Sequence, residues 1–361
     1  MAAAVPPPTF AARSHEAVPT LATLAPPAPA ERHPLLAFVA VAWSWLFLLI
    51  LVLFFEVWAR VQYGATFVLN PYNVQSIALT ASMPLLLAMG QTLVIIAGGI
   101  DLSVGFVMGL ASVIMATTMQ HLTGLHPGIS LVIGIAAALV VSTIPGLVSG
   151  TLIARLAIPA FIGTLGMYGV CRGVGFLTAS GTTVPVNNPW LFQLGNGKLL
   201  GIPVPVLIAL AVMLAMHWLL RESRFGRYTY AIGGNKAASI RAGINVPRHT
   251  VLLYMLAGFC AGIAGVVYTA RFSAGAAQGG EPLLLDSIAA VVIGGASLFG
   301  GSGTIIGTVI GALIIAVIQY GLVFIDVAPF WQFVAVGVVI IVSVLIDQSR
   351  ERLTGGGRRD E

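Results

Sequence analysis

The sequence predicts an all-α polytopic membrane protein of about ten transmembrane helices, with both termini in the cytoplasm. Three observations carry that expectation. The 361 residues are 58% hydrophobic and only 8% charged, with a mean hydropathy of +0.99, whereas a soluble domain carries roughly 25% charged residues. So few charges cannot cover a water-facing surface. Apolar runs recur at lengths that fit one or two spans of about 20 residues each. The 42 glycines and 20 prolines are what membrane helices tolerate, because small residues let backbones approach closely.

Taken in order, residues 1–34 are rich in Ala and Pro, lack a basic segment leading into an apolar core, and read as a disordered cytoplasmic tail rather than a signal peptide. A first span is expected over 33–55. The uncharged stretch 61–100 holds a second after the turn Asn70-Pro71-Tyr72-Asn73. The uncharged stretch 102–154 holds two more, divided near His121 to Gly128. A fifth covers 157–178, a sixth 199–220 and a seventh 250–270. Residues 287–325 hold two, broken at Phe299-Gly300-Gly301-Ser302-Gly303, and 327–346 is the tenth. The transmembrane domain is thus 35–346, with a cytoplasmic tail over 347–361.

Charge bias sets the expected orientation. With both ends inside, the cytoplasmic side holds Arg13, Arg32, Arg155, the six basic residues of 221–248, and Arg350, Arg352, Arg358 and Arg359, or 13 of the 17 Lys and Arg. Arg60, Arg172, Lys198 and Arg271 fall outside or within the membrane. Lys and Arg concentrate on the cytoplasmic side of membranes, so the net charge of +5 is a topology signal and not a nucleic-acid signal.

Several chemistries are absent. The only Gly-Lys pair, Gly197-Lys198, is followed by Leu199, so there is no phosphate loop of the Gly-Lys-Ser/Thr type. No His, Cys or carboxylate cluster has metal-ligand spacing, and no nucleophile sits in an elbow or triad pattern. Cys171 and Cys260 lie in apolar stretches and read as buried side chains. No metal, no cofactor and no enzymatic activity are expected. Ion-coupled transporters leave ionisable residues inside their spans. Here only Asp101 and Arg172 stand at depth, with Glu56, Asp286 and Asp326 nearer the interfaces.

The loop 221–248 carries the basic charge. Within it Asn235 suits a helix N-cap and Gly243 the left-handed position that ends a helix, leaving about two turns from Lys236 to Ala242. A short helix with Ala237, Ala238 and Ile240 between basic flanks suits docking into a groove on another protein. The plainer reading is a loop that only fixes topology. Asp101, after Gly98-Gly99, suits an N-cap accepting from the Ser103 or Val104 amide, or a contact with solute or with a moving gate. Arg172 suits pairing with an acidic group, holding a helix end, or touching solute. The spacings Gly303/Gly307/Gly311, Gly258/Gly262 and Gly105/Gly109 are packing faces, within the subunit or at a dimer seam. The stretches Val94 to Asp101 and Val291 to Ser297 look alike, an internal similarity of the kind transporter repeats leave.

Four segments in order resemble the permease subunits of bacterial ABC importers of the ribose type. They are Gly90-Gln91-Thr92-Leu93-Val94-Ile95 running into Gly98-Gly99-Ile100-Asp101-Leu102-Ser103-Val104-Gly105; Phe161-Ile162-Gly163-Thr164-Leu165-Gly166 with Arg172-Gly173; Ala231-Ile232-Gly233-Gly234-Asn235 with Ala238 and Gly243-Ile244-Asn245-Val246; and Asp286-Ser287-Ile288-Ala289-Ala290 leading to Gly294-Gly295-Ala296-Ser297-Leu298. The resemblance implies a pore subunit in the bacterial inner membrane that carries a monosaccharide or related polar solute. It implies three partners: an ATP-binding subunit inside, a periplasmic solute-binding protein outside, and a second permease subunit. It also implies site residues. Gly233, Gly234, Asn235, Ala238, Arg241 and Gly243 would couple to the ATPase. Gly98, Gly99, Asp101, Ser103, Phe161, Thr164, Arg172, Asp286, Gly294, Gly295 and Ser297 would line the pathway or its gate. The chain departs from the family pattern at Leu284-Leu285-Asp286, which lacks one acidic residue, and at Lys236, where the family carries an acid. The alternative is an ATP-independent secondary transporter or channel.

Overall fold

A computed structural model describes residues 34–328 and 330–353, with side chains over 43–328, 330–342 and at 345. The tail expected over 1–34 lies outside the described residues except for Pro34, as do residues 354–361 of the C-terminal tail. The chain forms α1 (Pro34–Tyr63), α2 (Pro71–Ile96), α3 (Val104–His121), α4 (Pro127–Arg155), α5 (Ala160–Thr178), α6 (Pro189–Asn196), α7 (Val204–Glu222), α8 (Arg224–Gly234), α9 (Lys236–Arg241), α10 (Val246–Phe272), α11 (Glu281–Ile293), α12 (Ile305–Phe324) and α13 (Trp331–Leu353).

Starts of these helices are written locally. Proline stands in the first turn of α2, α4, α6, α7, α10 and α11, where its missing N–H costs nothing. Asn70, Asn188 and Asn245 cap α2, α6 and α10 by accepting amides at 2.9 to 3.1 Å, and Thr304 caps α12.

All ten predicted apolar segments are helical. Among the described residues, eight helices (α1 to α5, α7, α10 and α12) are long and apolar enough to cross a membrane, and the described apolar stretch of α13, Trp331–Val342, is shorter. The eighth segment differs from expectation. Its helix α11 has 13 residues, about 20 Å of rise against a hydrocarbon core of about 30 Å. The chain reaches its start by a two-residue strand, Ala274–Gly275, and a turn over 277–280 that lies against the small face of α3. There a Cβ on Gly105 would meet the Gly280 carbonyl, and one on Gly109 would overlap Ala277. Ser112 Oγ accepts the Ala276 amide at 3.1 Å, which satisfies a backbone group far from water. So the Gly105/Gly109 spacing packs against the turn that leads into α11 and against the first turn of α11 itself, not along a full helix.

The centre of the bundle is α2, α3 and α10, whose side chains are largely buried. Helix α10 lies against α4 through Gly258 and Gly262 on one side and Ser142, Gly146 and Gly150 on the other. Helix α12 lies against α11 through Gly307 and Gly311, which meet Gly294 and Ala290. Gly303 belongs to the turn before α12 and not to its packing face. All these contacts are inside the subunit. Helix α13 runs on to Leu353, so the stretch expected to begin a tail at 347 is helical.

Helices alternate in direction. One end of the bundle carries Arg155, Arg221, Arg224, Arg227, Lys236, Arg241 and Arg248. The opposite end carries Arg60, Lys198 and Arg271, the last two bonded to Gln75 and Asn196. At that opposite end Val184–Pro185 pairs antiparallel with Ala274–Gly275, Val184 opposite Gly275, and Lys198–Leu199 pairs with Ile202–Pro203. Helix α6 and these short pairings had no sequence signal strong enough to place them.

Candidate functional site

The basic end is built around α9. Asn235 Oδ1 accepts the Ala238 amide at 2.8 Å, as its position predicted. At the other end Gly243, with φ +81°, donates to the Ile240 carbonyl, and Ile244 donates to the Ser239 carbonyl. This pair of bonds closes a helix on a left-handed glycine. The helix therefore has both expected ends, one residue shorter than the span from Lys236 to Ala242. Lys236, Ala237, Ile240 and Arg241 are exposed, and Ala238 is half-buried. An apolar Ile240 at the tip of a charged loop, beyond the spans, is a surface with no cover from its own chain.

Sequence reasoning missed the helix before it. Helix α8 is capped by Ser223 and packs Gly226 against the Leu220 backbone. Thr229 Oγ1 lies 2.8 Å from His249 Nε2, and Tyr230 Oη donates to the Gly303 carbonyl at 2.7 Å. Burial pushes the Tyr230 hydroxyl up from its ordinary pKa, so it remains a donor. At the end of α8, a Cβ on Gly233 would overlap both the Ile96 carbonyl and the Gly301 amide. Those two groups bond to each other at 2.8 Å. Three glycine turns thus meet at one junction: Gly233-Gly234 after α8, Gly98-Gly99 after α2, and Gly300-Gly301 before α12. The signal for it was the third Gly-Gly pair, which by itself names no partner.

The turns after α2 and α11 are alike in detail. Gly98 donates to Ile95 and Gly99 to Val94, while Gly295 donates to Val292 and Ala296 to Val291. Gly98 has φ +81° and Gly295 has φ +87°. The similarity of the two sequence stretches is therefore a shared backbone turn.

Asp101 is buried beyond the first turn. Its Oδ1 accepts the Ser103 amide at 2.9 Å and the Ser103 hydroxyl at 2.6 Å, while its carbonyl accepts Gln91 Nε2. Ser103, not Asp101, is the residue flanking α3, so the carboxylate closes the turn ahead of the cap position. Thr164, also buried, donates to the Ala160 carbonyl at 2.8 Å. Asp286 accepts Gln319 Nε2 at 2.9 Å. Ser297 Oγ accepts the Phe299 amide at 3.2 Å. Gly294 lies against the Gly307 backbone. Phe161 and Arg172 are exposed on α5, the guanidinium carbon 5.5 Å from the centre of the Phe106 ring. Gly98, Gly99, Asp101, Ser103 and Thr164 thus share one neighbourhood, Gly294, Gly295 and Ser297 a second, and Arg172 and Asp286 belong to neither. Among the described residues no group of three or more metal-ligating side chains comes together.

Comparison with known proteins gives a consistent picture. A family model described as branched-chain amino acid transport system / permease component matches residues 73–344. The chain is 39% identical over 285 residues to the ribose import permease protein of Escherichia coli (strain K12), covering 77% of this chain and 86% of that protein. It is 34% identical over 301 residues to an L-arabinose ABC transporter permease protein of Azospirillum brasilense, covering 83% and 87%. It is 35% identical over 280 residues to the D-allose transport system permease protein of Escherichia coli, covering 78% and 84%. No solved structure matches the chain.

Proposed function

Because the chain belongs to this permease family, we propose that it is the pore subunit of an ABC importer for a neutral monosaccharide in the bacterial inner membrane. The observation that carries the proposal is α9: a helix capped at both ends, exposing Ala237 and Ile240, footed through Gly233 on the turns after α2 and before α12. A separate ATP-hydrolysing subunit docks there, on the cytoplasmic side that the excess of Lys and Arg favours. A periplasmic binding protein delivers solute at the opposite end, and a second permease subunit completes the pore. The sugar permeases among its relatives, similar over most of their length, support a sugar over an amino acid.

Movement of α9 reaches the pathway through the glycine junction. Gly98, Gly99, Asp101 and Ser103, with Gly294, Gly295 and Ser297, form the hinged turns of the gate. Phe161, Thr164, Arg172 and Asp286 face or brace the path. Transport is alternating access, with a ligand that shifts the two conformations only by its differential affinity for them.

Gly234 tests the reading cleanly. Nothing in the chain lies within 4 Å of a Cβ placed there. Gly234→Trp therefore leaves the isolated subunit folded but obstructs a docked partner. The expected result is an unchanged melting temperature with loss of ATPase co-purification and of sugar uptake. Uptake that survives the substitution, or ATP-independent sugar flux through liposomes holding this chain alone, overturns the proposal and favours a secondary transporter.

A further inference from the structure

Three polar side chains stand exposed and a fourth half-buried within the span on one side of the bundle. Arg172 is 12 residues beyond Ala160 and 6 before Thr178 in α5, about 18 Å and about 9 Å of helical rise from its two ends. Glu281 opens α11 beside Gly105, where Gly280 and Leu284 flank it against α3. From Gly105 to the far end of α3 at His121 is 16 residues, about 24 Å. From Glu281 to Ile293 is 12 residues in the other direction, about 18 Å. Both charges therefore sit deep within the hydrocarbon thickness. Gln278 is exposed beside Glu281, and Tyr168 is half-buried one turn below Arg172.

Three of the four are linked through one aromatic ring. Buried Phe106 has the Arg172 guanidinium 5.5 Å from its centre and Tyr168 edge-on to it, ring centres 4.5 Å apart. Tyr168 in turn holds its hydroxyl 3.5 Å from Glu281 Oε1. Arg172 has no hydrogen bond or ion pair among the described residues, and Glu281 has no cationic partner there. A charged side chain facing lipid at this depth costs several kcal/mol. Next to them on α5, Gly166, Gly169 and Gly173 meet nothing within 4 Å. This face is too polar for lipid and has no cover from its own chain. Water and a second permease subunit are the environment that fits both features.

We propose that Tyr168, Arg172, Gln278 and Glu281 line the water-filled part of the pathway and form a weak contact site for an uncharged polyhydroxylated solute, the opposite wall coming from the second subunit. The proposal rests on the importer reading above and adds the residues that touch the cargo. The chemistry selects the class. One cation, one carboxylate, a phenol and an amide offer alternating donors and acceptors with no net charge. With one charge of each sign the site has no net Coulombic preference for an anion or a cation, and its donors and acceptors suit hydroxyl groups. Asp101 and Asp286, closed onto Ser103 and Gln319, then act as supports and not as solute contacts.

Cysteine labelling in native membranes tests this with the full chain, because Cys171 and Cys260 are buried and give a low background. Gly169→Cys, Arg172→Cys and Gln278→Cys should react with a membrane-impermeant methanethiosulfonate about tenfold faster than Val170→Cys and Val174→Cys, since the reaction needs a thiolate that forms in water and not in lipid. High concentrations of D-ribose, L-arabinose or D-allose should slow the labelling, and ribose 5-phosphate should not. Equal rates at all five positions overturn the proposal. So does slowing by none of the neutral sugars, or slowing by the phosphorylated sugar alone. Gly169→Cys and Gln278→Cys keep the test decisive if Arg172→Cys fails to fold. Labelling needs no ATPase, so a negative result here leaves the Gly234→Trp experiment standing, and failure of that experiment leaves the labelling result standing.

Discussion

The turns that follow α2 and α11 begin alike and end differently. Each ends its helix on a glycine of positive φ with the same two backbone bonds. Beyond that shared start, the first turn folds back into the bundle. Asp101 is buried, its carboxylate closed by the Ser103 amide and hydroxyl, its carbonyl held by Gln91. The second turn runs outward to the basic end. It exposes Phe299, passes through Gly300, Gly301 and Gly303 at positive φ, and meets α8 at Gly233 and Tyr230. One copy of the turn is anchored by a carboxylate inside the subunit. The other is held by the helix that leads into α9. The two like turns are therefore two arms that differ in footing: the first is fixed inside the subunit, and the second is tied to α8.

The largest expected effect lies where the two arms meet. Gly233→Ala places a Cβ on the Ile96 carbonyl and the Gly301 amide at once, and neither backbone can retreat without breaking their mutual bond. The overlap should cost about 3 kcal/mol, the upper range for overpacking a tight site. The check is a thermal melt of the purified subunit beside Gly234→Ala, which meets nothing in the chain. Equal melting temperatures for the two variants would remove the junction as a rigid contact.

Asp101 distinguishes the arms next. Asp101→Ala strips two donors of Ser103 of their acceptor in a buried site, a loss of about 1–3 kcal/mol for each unsatisfied group. Ser297→Ala removes one bond, to the Phe299 amide, in a turn that is partly exposed. The first substitution should lower the melting temperature clearly and the second only slightly. Asp101→Asn, which keeps an oxygen facing Ser103, should recover most of the loss. If Ser297→Ala matches Asp101→Ala, the two turns are equally anchored and the contrast fails.

How far these features could be read in advance depends on how local they are. Asn235, Gly243 and the paired glycines at 98 and 295 speak through bonds to residues within five positions, so the short helix and both turns were legible. The stretch 274–280, a short strand followed by a turn, was not. It lies flat only because Gly105, Gly109 and Ser112, more than 150 residues earlier, leave room and supply a hydroxyl. The same holds for α8, whose seat is set by Ile96, His249 and Gly303. The two charges of the α5 face show the limit from the other side. Arg172 was visible as an intramembrane charge, but Glu281 stood out only once α11 proved too short to span and began within the membrane.

The shared start of the two turns makes a smaller prediction. Alanine at Gly98 or at Gly295 forces a Cβ into the left-handed region, at about 1–2 kcal/mol. Neither site adds a close clash, the nearest atom being the Phe299 carbonyl oxygen 3.7 Å from Gly98. The two variants should therefore lose stability equally in thermal melts. A marked inequality would show that the turns are alike in bonding but not in strain.

Tyr230→Phe is the mildest change and asks the sharpest question of the second arm. It deletes a hydroxyl and nothing else, leaving the ring packed. The Gly303 carbonyl loses its donor, a net loss of about 1 kcal/mol for one hydrogen bond. Nothing else in this bond concerns the bundle core, so the melting temperature should fall only slightly. If α8 transmits the movement of α9 to the turn before α12, sugar uptake per ATP hydrolysed should fall by more than stability does, because the contact would then be remade in every cycle. Wild-type uptake with a slightly lower melting temperature would mean that Tyr230 is structural, and that the two arms are joined through the Gly233 contact alone.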